Sequence, residues 1–184
     1  YEEAGGKKRP VGMLLRVDWE GNSFPVRLSG VLGIQPCMAA LAALAVGIAR
    51  GESVLRMSEA LATLEAPRGR MRVLPGTRES VIIDDTYNSS PVAVLAALDT
   101  LKSLEGGRKI AMLGDMLELG EFSVKEHERI GIAASAVVDE LVTVGKRAHI
   151  IADGAMAAGL PEKHIHRFAS STEAGDWALT NVAP

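Results

Sequence analysis

Val81-Ile82-Ile83-Asp84-Asp85-Thr86-Tyr87-Asn88-Ser89-Ser90-Pro91 runs from three β-branched residues into an acidic, hydroxyl-rich loop and then into a helix start. The β-branched run favours a short buried strand. Ser89 or Ser90 ahead of Pro91 suits the cap and first position of a helix. The same rhythm continues downstream, with apolar strand candidates at Ile110–Leu113, Leu141–Val144 and Ile165–Phe168. Helical patterns follow them or lie between them at about 92–104, 125–138, 148–158 and 171–181. Strands and helices in alternation predict an α/β fold, a parallel sheet with helices on both faces.

Upstream the pattern changes. Met13–Asp18 and Phe24–Leu28 flank Glu20-Gly21-Asn22-Ser23, which reads as a hairpin, and helices fit Met38–Arg50 and Val54–Leu64 with Gly51 breaking them. A seam is expected near Ala66-Pro67-Arg68-Gly69-Arg70, where Pro and Gly separate two periodic regions. Residues 1–68 carry a net charge of +1 and residues 69–184 a net charge of −4. A hairpin and two helices in 68 residues look like the remnant of a larger domain. The chain opens on Tyr1 and closes on Asn181-Val182-Ala183-Pro184, which reads as a piece of a longer protein.

Composition removes several function classes. The 184 residues are 47% hydrophobic and 23% charged, ordinary for a folded globular protein. A net charge of −3 leaves no basic surplus for a nucleic-acid backbone, so no nucleic-acid partner is expected. The most apolar stretch, Met38–Ala49, rises only about 18 Å as a helix, short of a bilayer's roughly 30 Å core. No signal peptide is expected at Tyr1–Pro10, and no membrane partner. The single Cys37 excludes an internal disulfide framework and fits a reducing, cytoplasmic setting.

Ligands of open α/β sheets settle at the carboxyl ends of strands. There Asp84 and Asp85 offer carboxylates that accept ribose hydroxyls or hold a metal through water, beside Tyr87 and Asn88. A second loop, Leu113-Gly114-Asp115-Met116-Leu117-Glu118-Leu119-Gly120, ends the next strand, and Asp115 is expected to face the same crevice. It reads equally as a glycine turn with a solvated Asp. His127 starts a helix among charges, where a surface or capping role is the commoner one. His164 and His166 share one face of a strand without a third ligand for zinc. Arg70, taken alone, is a linker arginine with a surface salt bridge. No Gly-x-x-x-x-Gly-Lys-Ser/Thr phosphate loop occurs in the chain.

Gly69-Arg70-Met71, Asp84-Asp85-Thr86-Tyr87-Asn88, Ala97-Leu98-Asp99, the Gly114–Gly120 loop, His127 and Val144-Gly145 follow one another in an order that closely resembles the Mur ligases, in particular the MurF type. The resemblance implies a Rossmann-like carboxyl-terminal domain at 69–184 without its final segment, preceded at 1–68 by the end of the central ATPase domain. It implies a cytoplasmic, ATP- and Mg2+-dependent ligase that joins D-alanyl-D-alanine to UDP-N-acetylmuramoyl-tripeptide through an acyl phosphate. Asp85 would meet the nucleotide ribose, with Tyr87 and Asn88 close to the nucleotide and Arg70 approaching its phosphates. Asp115 and His127 would lie toward the crevice where D-alanyl-D-alanine enters.

The sequence departs from the family where Leu32, Gly33 and Pro36 stand in place of the usual His, Asn and Asn before an Ala-rich helix. The customary side-chain contact to adenine is therefore not expected there, unless Gln35 substitutes. Without the phosphate loop, the chain alone is expected to be inactive. Two alternatives stay open: another Mur or folylpolyglutamate-type ligase, and a non-catalytic nucleotide-binding module. The Tyr87-Asn88 pair favours MurF, because tripeptide-forming relatives more often read Asp-Tyr-Ala-His in that loop.

Overall fold

A computed structural model describes residues 1–4 and 7–182. The sequence reading of the two chain ends falls partly on Gly5, Gly6, Ala183 and Pro184, which lie outside that description. Two compact units emerge, Tyr1–Gly76 with Val81–Tyr87, and Thr77–Ser80 with Asn88–Pro184.

The first unit begins with two short antiparallel strands, β1 (Glu2–Ala4) and β2 (Lys7–Arg9). The expected hairpin follows as β3 (Gly12–Trp19) and β4 (Asn22–Ser29), paired in register from Gly12↔Ser29 to Trp19↔Asn22. Its connection is tighter than the sequence suggested. Glu20 (φ 47°) and Gly21 (φ 77°) both sit in the left-handed region, as a two-residue hairpin turn requires. Helices α1 (Ile34–Ala49) and α2 (Val54–Ala62) come next. Pro36 is tolerated in the first turn of α1, where its missing N–H has no intrahelical partner to lose. Val26 and Leu28 of β4 pack with Cys37, Ala40 and Leu44 of α1, three positions on one helical stripe.

Two further strands, β5 (Arg72–Pro75) and β6 (Val81–Asp84), form an antiparallel pair of their own. This corrects the expectation that Val81–Ile83 opens the parallel sheet. A handful of residues separates β6 from β5, which suits a hairpin, whereas a parallel neighbour needs a crossover of a dozen or more. Gly30–Leu32 joins this pair: Val73 N–H donates to the Gly30 carbonyl (2.8 Å) and Leu32 N–H to the Met71 carbonyl (3.0 Å).

The second unit carries the parallel sheet, β7 (Ile110–Gly114), β8 (Glu140–Val144) and β9 (Ile165–Phe168), in that order. Helix α3 (Pro91–Ser103) precedes it, with Ser90 accepting from Ala93 N–H as its cap. Helices α4 (Ser123–Ser135) and α5 (Ala148–Ala157) connect the strands, and α6 (Ser171–Asn181) closes the chain behind a Ser170/Glu173 capping box. Ala111, Leu141 and Ile165 lie side by side on one face and share a core with α3, α4 and α5. On the opposite face Trp177 of α6 stacks on His166, with ring centres 4.4 Å apart. Helices therefore cover both faces, as the alternation predicted.

Helices α4 and α5 approach so closely that only glycine fits. A Cβ on Gly131 would lie 2.1 Å from the Ile151 carbonyl oxygen, and one on Gly154 2.6 Å from that of Glu128.

Candidate functional site

In the first unit, Gly69-Arg70-Met71 is fastened to the loop after β6 by backbone donors on acidic acceptors. Gly69 N–H donates to Asp84 Oδ2 (2.9 Å) and Met71 N–H to Asp85 Oδ1 (3.1 Å). Tyr87 N–H closes the arrangement on the Gly69 carbonyl (3.2 Å). Gly69 has φ 68°, and a Cβ there would fall 2.7 Å from Tyr87 N. Met71, only 2% exposed, is held at φ 53°, a conformation an L-residue adopts at a cost.

The two aspartates differ in electrostatics. The Thr86 hydroxyl, donating at 2.6 Å, is the main influence holding the Asp84 carboxyl below its ordinary range. Burial pushes Asp85 upward, and the opposing pull of Met71 N–H and the Arg70 charge does not cancel it. Asp84 is thus the anchor of the turn. Asp85 spends Oδ1 on Met71, while its other oxygen makes no hydrogen bond among the described residues. The Arg70 guanidinium lies over the Tyr87 ring, 4.2 Å from its centre. Asn88 stands in the other unit, exposed, with Oδ1 accepting from Ser89 N–H.

The remaining predicted residues lie in the second unit. Asp115 Oδ1 accepts from Ala148 N–H (2.7 Å), so the loop after β7 caps the amino end of α5. There the carboxylate satisfies one orphan donor and meets the positive end of the helix dipole. His127 is fully buried. Its Nε2 accepts from Met116 N–H (3.0 Å), which places the ring proton on Nδ1, where it donates to the Ser123 carbonyl (2.6 Å). Nε2 thereby ties the Gly114–Gly120 loop to α4, while Nδ1 is held within the first turn of α4 itself.

Sequence reasoning passed over the scaffolding role of Asp84, although the Asp-x-Thr spacing of an Asx turn was visible. It also missed Glu140, which accepts from His164 Nδ1 (3.1 Å) and His166 Nε2 (2.8 Å). Leu32 is buried and Gly33 forms the start of α1. Among the described residues no group of three or more His, Cys, Asp or Glu is set to hold a metal.

The second unit, a short parallel sheet with helices on both faces, defines an α/β fold, and the first unit carries a turn with a carboxylate and a guanidinium. Residues 69–184 match the family described as "Mur ligase, glutamate ligase domain". The chain belongs to the Mur ligase family. Among its relatives, the Bacillus subtilis protein named UDP-N-acetylmuramoyl-tripeptide–D-alanyl-D-alanine ligase is 36% identical over 128 residues, spanning 68% of this chain and 28% of the relative. The Mycobacterium leprae protein of the same name is 40% identical over 131 residues, spanning 63% and 25%. MurF ligase from Thermotoga maritima, solved in complex with ADP, superimposes with a TM-score of 0.76 at 28% identity, covering 95% of this chain and 38% of that one. The chain spans less than a third of the length of these two curated relatives.

Proposed function

We propose that this chain is the carboxyl-terminal portion of an ATP-dependent ligase of the MurF type, which joins D-alanyl-D-alanine to UDP-N-acetylmuramoyl-tripeptide. In this reading residues 1–68 are the end of the central ATPase domain and 69–184 the third domain. The observation that carries it is the turn at Arg70 and Asp85. One free carboxylate oxygen and a guanidinium on adjoining backbone fit a ribose hydroxyl and a phosphate. The ADP held by the Thermotoga protein supports such a ligand, and the relatives' shared name supports the ligase reading.

A carboxylate is a poor electrophile, so ATP transfers its terminal phosphoryl group to it, releasing ADP and forming an acyl phosphate; the amine of D-alanyl-D-alanine attacks the acyl carbon and inorganic phosphate leaves. The residues of this chain position and compensate charge. Arg70 offsets the phosphate charge and Asp85 orients the ribose, with Tyr87 on the loop that carries Asp85. Asp115 and His127 serve the acceptor side by fixing the Gly114–Gly120 loop on α5 and α4. The resemblance implies Mg2+, which binds through one or two carboxylates with water and substrate phosphates; among the described residues no group of three or more His, Cys, Asp or Glu is gathered to hold a metal without them. We place the reaction in the cytoplasm with its UDP-linked substrate. No helix among the described residues is long and apolar enough to cross a membrane.

Titrating the chain with ADP and following its backbone amide resonances tests the nucleotide contact. Shifts should concentrate at Gly69, Met71, Asp85 and Tyr87 and fade in Asp85→Ala. Shifts confined to other residues, or none, would refute it.

A further inference from the structure

The Arg70–Tyr87 stack is not imposed by packing. Tyr87 is 72% exposed, yet the guanidinium sits 4.2 Å from the centre of its ring. The backbone on either side of Arg70 is pinned, Gly69 N–H to Asp84 and Met71 N–H to Asp85, while Tyr87 N–H is pinned to the Gly69 carbonyl. Met71 holds its left-handed conformation within the same turn. Two rigid pieces of backbone thus face each other, and the long arginine side chain bridges them through a ring contact. A guanidinium over a phenol ring gains from the ring's negative face, and its rotamers are restricted before any ligand arrives.

We propose that Tyr87 is a positioning residue that acts on nucleotide through Arg70. Its ring holds the guanidinium aligned near Asp85, so a diphosphate meets an ordered cation. The proposal rests on the nucleotide reading above and goes further, since it gives the ring a partner within the chain in place of the base or ribose. A cation–π contact at an exposed site corresponds to about two- to fivefold in affinity. Leucine at this exposed position buries nothing new, so the fold is kept.

The test is ADP affinity of the 184-residue chain, measured by calorimetry or amide titration, with inorganic pyrophosphate as a second probe that has no base to stack. Tyr87→Leu should weaken both probes about two- to fivefold. Tyr87→Phe, which keeps the ring, should recover what Leu loses. In an Arg70→Met background Tyr87→Leu should have no further effect. An additive loss in that background, or a loss for ADP with none for pyrophosphate, would show that the ring touches the nucleotide directly and overturn the proposal. Wild-type affinity in Tyr87→Leu alongside a loss in Asp85→Ala would overturn it while leaving the nucleotide site standing. No binding of ADP by the wild-type chain would overturn both.

Discussion

Gly131→Ala in α4 and Gly175→Ala in α6 are the same chemical change at two helix-interior positions, and the structure predicts opposite signs. Helix propensity alone favours alanine over glycine by about 1 kcal/mol at each. At Gly175 no atom lies within 4 Å of the added methyl, so that gain should be kept, about 0.5–1 kcal/mol. At Gly131 the methyl would sit 2.1 Å from the Ile151 carbonyl oxygen and 2.7 Å from Ala155 N. Both are helix backbone atoms and cannot swing aside. α5 must move away from α4, opening a seam lined by Ile130, Ala134, Ile151 and Ala155. Overpacking of this kind costs about 1–3 kcal/mol, and the loss of contact along two helices puts this site at the upper end, about 2–3 kcal/mol net. Urea unfolding of a Trp19→Phe background, followed by the fluorescence of Trp177 and by far-ultraviolet circular dichroism, reads both variants on one scale. A Gly131→Ala midpoint that does not fall would refute the close α4–α5 approach, whatever Gly175→Ala does.

Other expectations follow from the same contacts. His127→Ala leaves Met116 N–H unpaired in a buried site and opens a cavity, so a loss of about 3–5 kcal/mol is expected, with faster hydrogen exchange at Met116; a loss under about 1 kcal/mol would remove the latch. Asp115→Ala should cost about 1–2 kcal/mol and strip protection from the Ala148 amide; unchanged protection there would count against the cap. At Glu140 burial works to raise the carboxyl, but hydrogen bonds from His166 and His164 outweigh it and hold the carboxyl below its ordinary value of 4.5. A carboxyl depressed in the folded state stabilises above its unfolded value, and that contribution disappears as pH falls through the folded one. The stability difference between wild type and Glu140→Gln should therefore be largest above pH 4.5 and shrink below it; a difference that does not change between pH 6 and pH 3, on the order of the carboxylate range, would contradict the assignment.

Much of the fold was legible because periodicity and capping chemistry agree with tertiary packing in the second unit. The Ser171–Asn181 helix begins behind a capping box, and the helices at Pro91 and Ala148 start within a residue or so of their sequence signals. The error at Val81–Ile83 has a physical origin. A three-residue apolar run carries no information about its partner, and the partner, Arg72–Pro75, is a short strand disguised by a terminal arginine and proline. At the site, residue types pointed to Asp85 and left Asp115 open between two readings, while Arg70 and His127 were singled out only by the family resemblance. What each touches depended on contacts over 11 to 33 positions, such as Met116 to His127 and Asp115 to Ala148, which no local pattern encodes. The left-handed Met71 was equally hidden, since nothing in a methionine's chemistry announces that backbone.

The ligase assignment is tested most directly by exchange. The segment of the Bacillus subtilis ligase that aligns with this chain, about 28% of that protein, is replaced by the corresponding residues of this chain, and ADP release is measured. Release that requires D-alanyl-D-alanine, and that falls when Arg70 or Asp85 is replaced in the exchanged segment, is the expected result. A folded exchange protein that releases no ADP, or that does so only with a different amino-acid acceptor, would contradict the assignment to the MurF type.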